Sequence, residues 1–202
     1  MQGGDSMRLI LTSCGLNRKL GRRLIYSKIA TEKLEEKIIF IITLPDYGID
    51  ECLIQSAEAM GFQRENIYLA QSGIAPEETL AGRTPHYIYV TEGNIYAILE
   101  FMRKNNLVNY IKNCMQTGET TYIGASAGAM LAGKDIRLAE DFDKNEVGLE
   151  DIVSLGLFDG TAIPHYTKTE FKRYISNTES EILAGYKKIY SIGEKEALVL
   201  EI

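Results

Sequence analysis

The chain has 202 residues, and its 22 Lys and Arg against 28 Asp and Glu leave a formal charge of −6, which argues against a polyanionic partner such as nucleic acid. Its 45% hydrophobic and 25% charged residues are those of an ordinary globular domain, and a chain this long can bury about 70% of its unfolded surface without a metal or disulfide staple. No stretch approaches the roughly 18 consecutive apolar residues of a membrane span and the beginning lacks the regions of a signal peptide, so no membrane partner is expected and the location is read as cytoplasmic.

Cys14, Cys52 and Cys114 are widely spaced and form no C-x-x-C pair, so neither a disulfide framework nor a metal site is expected. Residues 1–6 carry no pattern and precede a second methionine. They are read as a leader, with a single domain over 7–202.

Arg8 to Thr12 is a short apolar run suited to a buried strand, and Ser13-Cys14-Gly15-Leu16-Asn17 supplies the turn after it. Lys19 to Glu36 reads as a charged surface helix. Ile38 to Ile42 is apolar throughout and rich in β-branched residues, as a parallel strand covered on both faces should be. Asp50 is read as the cap of a helix running to Met60, and Gly61 ends it.

Asn66 to Leu69 and Tyr87 to Val90 are the third and fourth strands, separated by a polar loop containing Gly73, Pro76, Gly82 and Pro85. Helices are expected over Ile95 to Lys104 and Val108 to Thr117, broken near Asn105-Asn106. The alternation of strand and helix implies an α/β fold, a mostly parallel sheet with helices on both faces. Functional groups should collect beyond the C-terminal ends of its strands.

The most informative stretch is Thr121 to Lys134, where an apolar run meets Gly124-Ala125-Ser126-Ala127-Gly128 and then a helix-forming segment. A G-x-S-x-G turn between strand and helix is a nucleophile elbow: the small residues let the two backbone arms approach and push the serine outward. The amide of Ala127, at the start of the following helix, would then point to where negative charge develops on an attacked carbonyl. Close helix-on-sheet packing is the plainer reading of the same small residues. A P-loop is a poorer match, because Gly133-Lys134 is followed by Asp135 where a Ser or Thr should hold magnesium, and Ala129 to Ala132 favour helix over loop.

Serine needs a base, and there are two histidines. His86 begins the fourth strand, the wrong end of a parallel sheet, and reads as structural. His165 ends the short strand Ala162 to Tyr166 on the functional edge, ahead of a charged helix from about Thr167 to Ala184. Between Ser126 and His165 the acidic stretch Asp135 to Asp151 offers several carboxylates as the third group, although its plainer reading is a solvated surface loop. Val90-Thr91-Glu92-Gly93-Asn94 also leaves the sheet at its C-terminal edge, and Gly93 is the natural second oxyanion donor. Lys188 to Ile192 and Ala197 to Ile202 close the chain as strands.

With these motifs in order, the chain resembles the dipeptidase E family, the aspartyl dipeptidases of the S51 serine peptidase group, whose fold is related to class I glutamine amidotransferases. The resemblance rests on Ile123 to Ala129, on Ile163-Pro164-His165-Tyr166, and on Val90 followed by Gly93-Asn94. It implies Ser126 as nucleophile, His165 as base, Asp141 as the orienting acid, Gly93 and Ala127 as the oxyanion hole, and Glu92 and Asn94 beside the substrate. It further implies a small peptide substrate cleaved through an acyl-enzyme without metal or organic cofactor, and leaves a homodimer open.

Glu92 departs from the family's glycine-rich strand end. It is expected to face the substrate's entry, where it would repel an acidic side chain and hold a free amino terminus. Class I amidotransferases themselves place cysteine at the position of Ser126 and glutamate at that of Thr167. The alternatives are a cyanophycinase-like hydrolase of another amide bond and a binding module without turnover.

Overall fold

The structure, a computed structural model, describes residues 6–45, 48–166, 169 and 183–202. Its central sheet holds β1 (Arg8–Thr12), β2 (Ile39–Ile42), β3 (Ile67–Leu69), β4 (Tyr87–Val90), β5 (Thr121–Ala125) and β8 (Ala197–Glu201) in the order β3-β2-β4-β5-β1-β8. All neighbours are parallel except β8, which runs antiparallel along β1 at the edge. A second, two-stranded parallel sheet pairs β6 (Gly160–Ile163) with β7 (Lys188–Ser191).

Side chains alternate across a strand, so each apolar strand feeds two cores. Leu9 and Leu11, Phe40 and Ile42, and Ile88 and Val90 point to one face. There they meet α4 (Ile95–Lys104), α5 (Leu107–Gln116) and α6 (Ala127–Leu131). Ile10, Ile39, Ile41, Tyr87 and Tyr89 point the other way, against α1 (Lys19–Ile29) and α2 (Asp50–Glu58). The remaining short helix is α3 (Pro76–Thr79). The mostly parallel sheet covered on both faces is therefore the one the strand pattern predicts.

Three local expectations change. Asp50 is the first residue of α2 and Ile49 holds the cap position, so Asp50 meets the helix N-terminus through its charge instead of a cap bond. The helix expected over Lys19 to Glu36 stops at Ile29, and a separate 3-10 turn forms at Leu34–Glu36. The strand that leads to His165 lies outside the main sheet, in the small one. The Thr167 to Ala184 helix, with Lys168, Lys172 and Arg173, falls largely outside the described residues, as does most of the expected leader.

The acidic stretch is less solvated than its composition suggests. Asp135 is buried, with a bidentate contact from the Arg137 guanidinium and a hydrogen bond from the Tyr186 hydroxyl. Burial acts to raise its pKa, but the bonds from Arg137 and Tyr186 outweigh that and hold it below the usual carboxylate range. Asp151 pairs with Arg103 at 3.0 Å, while Glu140, Glu146 and Glu150 are exposed.

Candidate active site

Three adjacent strand ends assemble the site, because β4, β5 and β1 are neighbours that all point the same way. β5 delivers Ser126 on a left-handed turn, at φ 50° and ψ −110°. A non-glycine residue held there costs on the order of 1–3 kcal/mol and persists only when its surroundings enforce it. They do so: the Ser126 amide donates to Thr12 O at 2.9 Å, and Ser126 O accepts the amides of Ala129 and Met130.

The turn depends on its two glycines. A Cβ on Gly124 would stand 2.4 Å from Gly128 O, and one on Gly128 would stand 2.2 Å from Val90 O. The amides of Ala127 and Gly93 find no acceptor among the described residues. Both residues line one cavity of about 260 Å³ together with Ser126 and His165. Gly93 has φ 147°, a backbone state that side chains seldom adopt.

His165 reaches the elbow from the small sheet, also with a positive φ, of 60°. Its Nε2 lies 2.7 Å from Ser126 Oγ. Its Nδ1 lies 2.5 Å from Glu194 Oε1, and Glu194 stands in the loop between β7 and β8. Glu194 is thus the carboxylate on the far ring nitrogen, in the role expected of Asp141, which belongs to the 3-10 turn Arg137–Asp141. The physical reason is the parallel pairing of β6 and β7. It continues past the strands, with Ile192 N donating to Ile163 O and Tyr166 N donating to Ile192 O, so the residues after each strand end side by side.

A bond from Cys14 Sγ to Glu194 Oε2 at 3.0 Å, followed by the bond to His165, holds the Glu194 pKa below the usual glutamate value. An ionised carboxylate can only accept, so the Nδ1 in contact with it carries the ring proton and Nε2 is left to accept from the Ser126 hydroxyl. Burial, and then the Glu194 carboxylate itself, push the Cys14 thiol up to about 11, so it remains a donor. Next to it, Ser13 Oγ accepts the His165 amide at 2.9 Å and donates to Ile192 O at 2.8 Å. The turn after β1 therefore fastens both the imidazole's backbone and its carboxylate.

Two further expectations are corrected. Glu92 turns away from the cavity: its carboxylate accepts from the Asn17 side-chain amide at 2.9 Å and from the Gly15 amide at 3.3 Å, with Arg18 at 3.5 Å. These donors neutralise a charge that would oppose an oxyanion. Asn94 caps α4 through the Ala97 amide at 3.1 Å and donates to Lys144 O at 2.9 Å, so its side chain serves the fold. His86 is structural, as its position suggests, accepting the Ile38 amide at 3.1 Å. Burial holds its pKa below the ordinary value.

Ser13, Cys14 and Glu194 escape a reading of the sequence. The available signal for Glu194 is its place in the turn Gly193 to Lys195, between two apolar strands and at the same sheet edge as His165.

A strained serine between a parallel strand and a helix, with an imidazole and a carboxylate in line behind it, is the arrangement of nucleophile-elbow hydrolases. The sheet carrying it has the class I glutamine amidotransferase-like fold. The chain matches the model of peptidase family S51 over residues 58–201. It is 30% identical over 148 residues to an uncharacterized peptidase of Listeria monocytogenes, covering 72% of this chain and 71% of that one. It is also 25% identical over 130 residues to Peptidase E of Shewanella putrefaciens, covering 64% of this chain and 54% of that protein's length.

Among solved structures it matches a peptidase E protein of Listeria monocytogenes with a TM-score of 0.72 at 24% identity, over 97% of this chain and 95% of that one. A peptidase from an acI-B1 Actinobacterium follows with a TM-score of 0.65 at 19% identity, over 98% and 84%. The protein belongs to peptidase family S51. Among its described residues no helix is long and apolar enough to cross a membrane.

Proposed function

We propose that the protein is a serine-type exopeptidase that cleaves short peptides through an acyl-enzyme on Ser126. The hydroxyl of Ser126 passes its proton to His165 Nε2 as Oγ bonds to the carbonyl carbon of the peptide. The amides of Gly93 and Ala127 take the developing oxyanion. The imidazolium, steadied by Glu194, gives its proton to the leaving amine as the C–N bond breaks. Water, deprotonated by the same ring, then hydrolyses the ester and returns Ser126 to its starting state.

The observation that carries this reading is the continuous chain from Ser126 Oγ through the His165 ring to Glu194, with bonds of 2.7 and 2.5 Å. An aspartyl first residue, as in Asp-X dipeptides, would call for a cation in the cavity, and its described lining residues include neither Lys nor Arg. A serine-reactive phosphonate should label Ser126, and Ser126→Ala should lose about ten-thousandfold or more in kcat. The circular dichroism of that variant should match the wild type. Retained turnover, or labelling at another residue, defeats the reading.

A further inference from the structure

The cavity in front of Ser126 is small. Its volume of about 260 Å³ lies below the ~300–1,000 Å³ usual for small-molecule pockets, so it suits the end of a peptide instead of its middle. Ile95, Met130 and Ala139, all buried, and the ring of Phe142 make its wall largely apolar. Asp143 is the one carboxylate among its described lining residues.

Asp143 is also held in place. Its Oδ2 accepts the Ile95 amide at 2.8 Å, at the first turn of α4, which fixes the carboxylate while Oδ1 has no donor among the described residues. In a dipeptide the α-ammonium group is one carbon away from the carbonyl that the serine attacks, so its acceptor has to belong to the same small cavity. Glu92 cannot serve, being engaged by Asn17, Gly15 and Arg18.

We propose that Asp143 receives the α-ammonium group of the substrate while the apolar wall takes its first side chain, so that the substrates are short peptides with a free amino terminus and an uncharged, apolar first residue. The inference rests on the serine reading above and adds the substrate class. A fixed carboxylate attracts the ammonium of an unblocked peptide and repels the side chain of an aspartyl or glutamyl first residue, which would enter without a counter-ion.

The test is kcat/KM on the full chain for Leu-Leu, Asp-Leu and their N-acetylated forms. Free Leu-Leu should exceed both N-acetyl-Leu-Leu and Asp-Leu by about tenfold or more, the scale of one charge-assisted hydrogen bond. In Asp143→Asn, which keeps an acceptor for the Ile95 amide, the ratio of free to blocked peptide should fall toward one through a rise in KM. Asp143→Ser, also an uncharged acceptor, gives the same readout should the first variant misfold.

Equal rates on free and blocked peptides, faster cleavage of Asp-Leu, or a ratio unchanged by either substitution overturns the proposal. Phosphonate labelling separates the two ideas. If Ser126 is labelled while the preferences are absent, the specificity falls and the serine reading stands. If Ser126→Ala cleaves every peptide, the serine reading itself is wrong.

Discussion

Ser126 rides on a segment that is buried on every side, whereas His165 and Glu194 project from the rim with side chains 40% and 50% exposed. Ile123, Ala125 and Ala129 around the serine have no exposed surface at all. The serine's position is set by neighbouring residues, two glycines and a core, and rigidity comes with burial. The imidazole and carboxylate are set by hydrogen bonds to residues far away in the chain. A buried apex and a tethered rim should fail differently: one by unfolding, the other by losing alignment while the fold survives.

The largest effect is expected from attacking the apex. In Gly128→Val the new side chain would collide with Val90 O, which backs onto the core, and stability should drop by about 3 kcal/mol or more. A denaturation midpoint close to wild type would mean that the elbow tolerates a side chain and that its burial is not what holds it.

The rim should respond in rate instead. Glu194→Gln is expected to lower kcat by about a hundredfold to ten-thousandfold, because an amide can donate to Nδ1 and favour the wrong tautomer. Asp141→Asn should leave kcat within about threefold, because Glu194 already occupies Nδ1 of the His165 ring. Reversed outcomes for the two carboxylates would restore Asp141 to the role.

Glu194 also gives a pH test of stability. The native-state pKa of Glu194 is depressed, first by the Cys14 bond and then by His165. Its stabilising contribution is therefore present above the unfolded-state glutamate value and disappears as pH falls through the depressed native one. The gap in unfolding free energy between wild type and Glu194→Gln should hold at neutral pH and close on acidification through that window. A gap independent of pH would mean that the charge on Glu194 is not what the two bonds stabilise.

A smaller loss than that of Glu194→Gln is expected at Ser13. Ser13→Ala removes an acceptor from the His165 amide and a donor from Ile192 O, at a cost of about 1–3 kcal/mol. Turnover should fall by about tenfold through misplacement of the ring, with KM little changed. An unaltered kcat would show that the small sheet alone positions His165.

The parts of the site that were legible in the sequence are those whose geometry is local. Gly124 and Gly128 flank a serine between an apolar strand and a helix, so one stretch of chain specifies the turn, the strain and the Ala127 amide. His165 was legible by its place at a strand end. The carboxylate was not, because serine, acid, histidine order drew attention to residues 135–151 while the group on the ring comes 29 residues after it. Nor could composition show that Asp135 is buried against Arg137 and Tyr186, since an acidic run looks the same whether solvated or paired.

Glu92 marks the boundary between the two kinds of information. That a charge beside an oxyanion hole must be turned away or neutralised follows from electrostatics and from the sequence Thr91-Glu92-Gly93 alone. Its direction depends on the adjacency of β4 and β1 through β5, which brings Gly15, Asn17 and Arg18 within reach. The sequence by itself determined the alternation of strand and helix, the buried strands and the elbow, because backbone sterics and side-chain periodicity act over a few residues. Only the tertiary structure decided which carboxylate orients His165, which one lines the cavity and which residues tether the rim, because strand pairing sets distances between side chains that the chain keeps far apart.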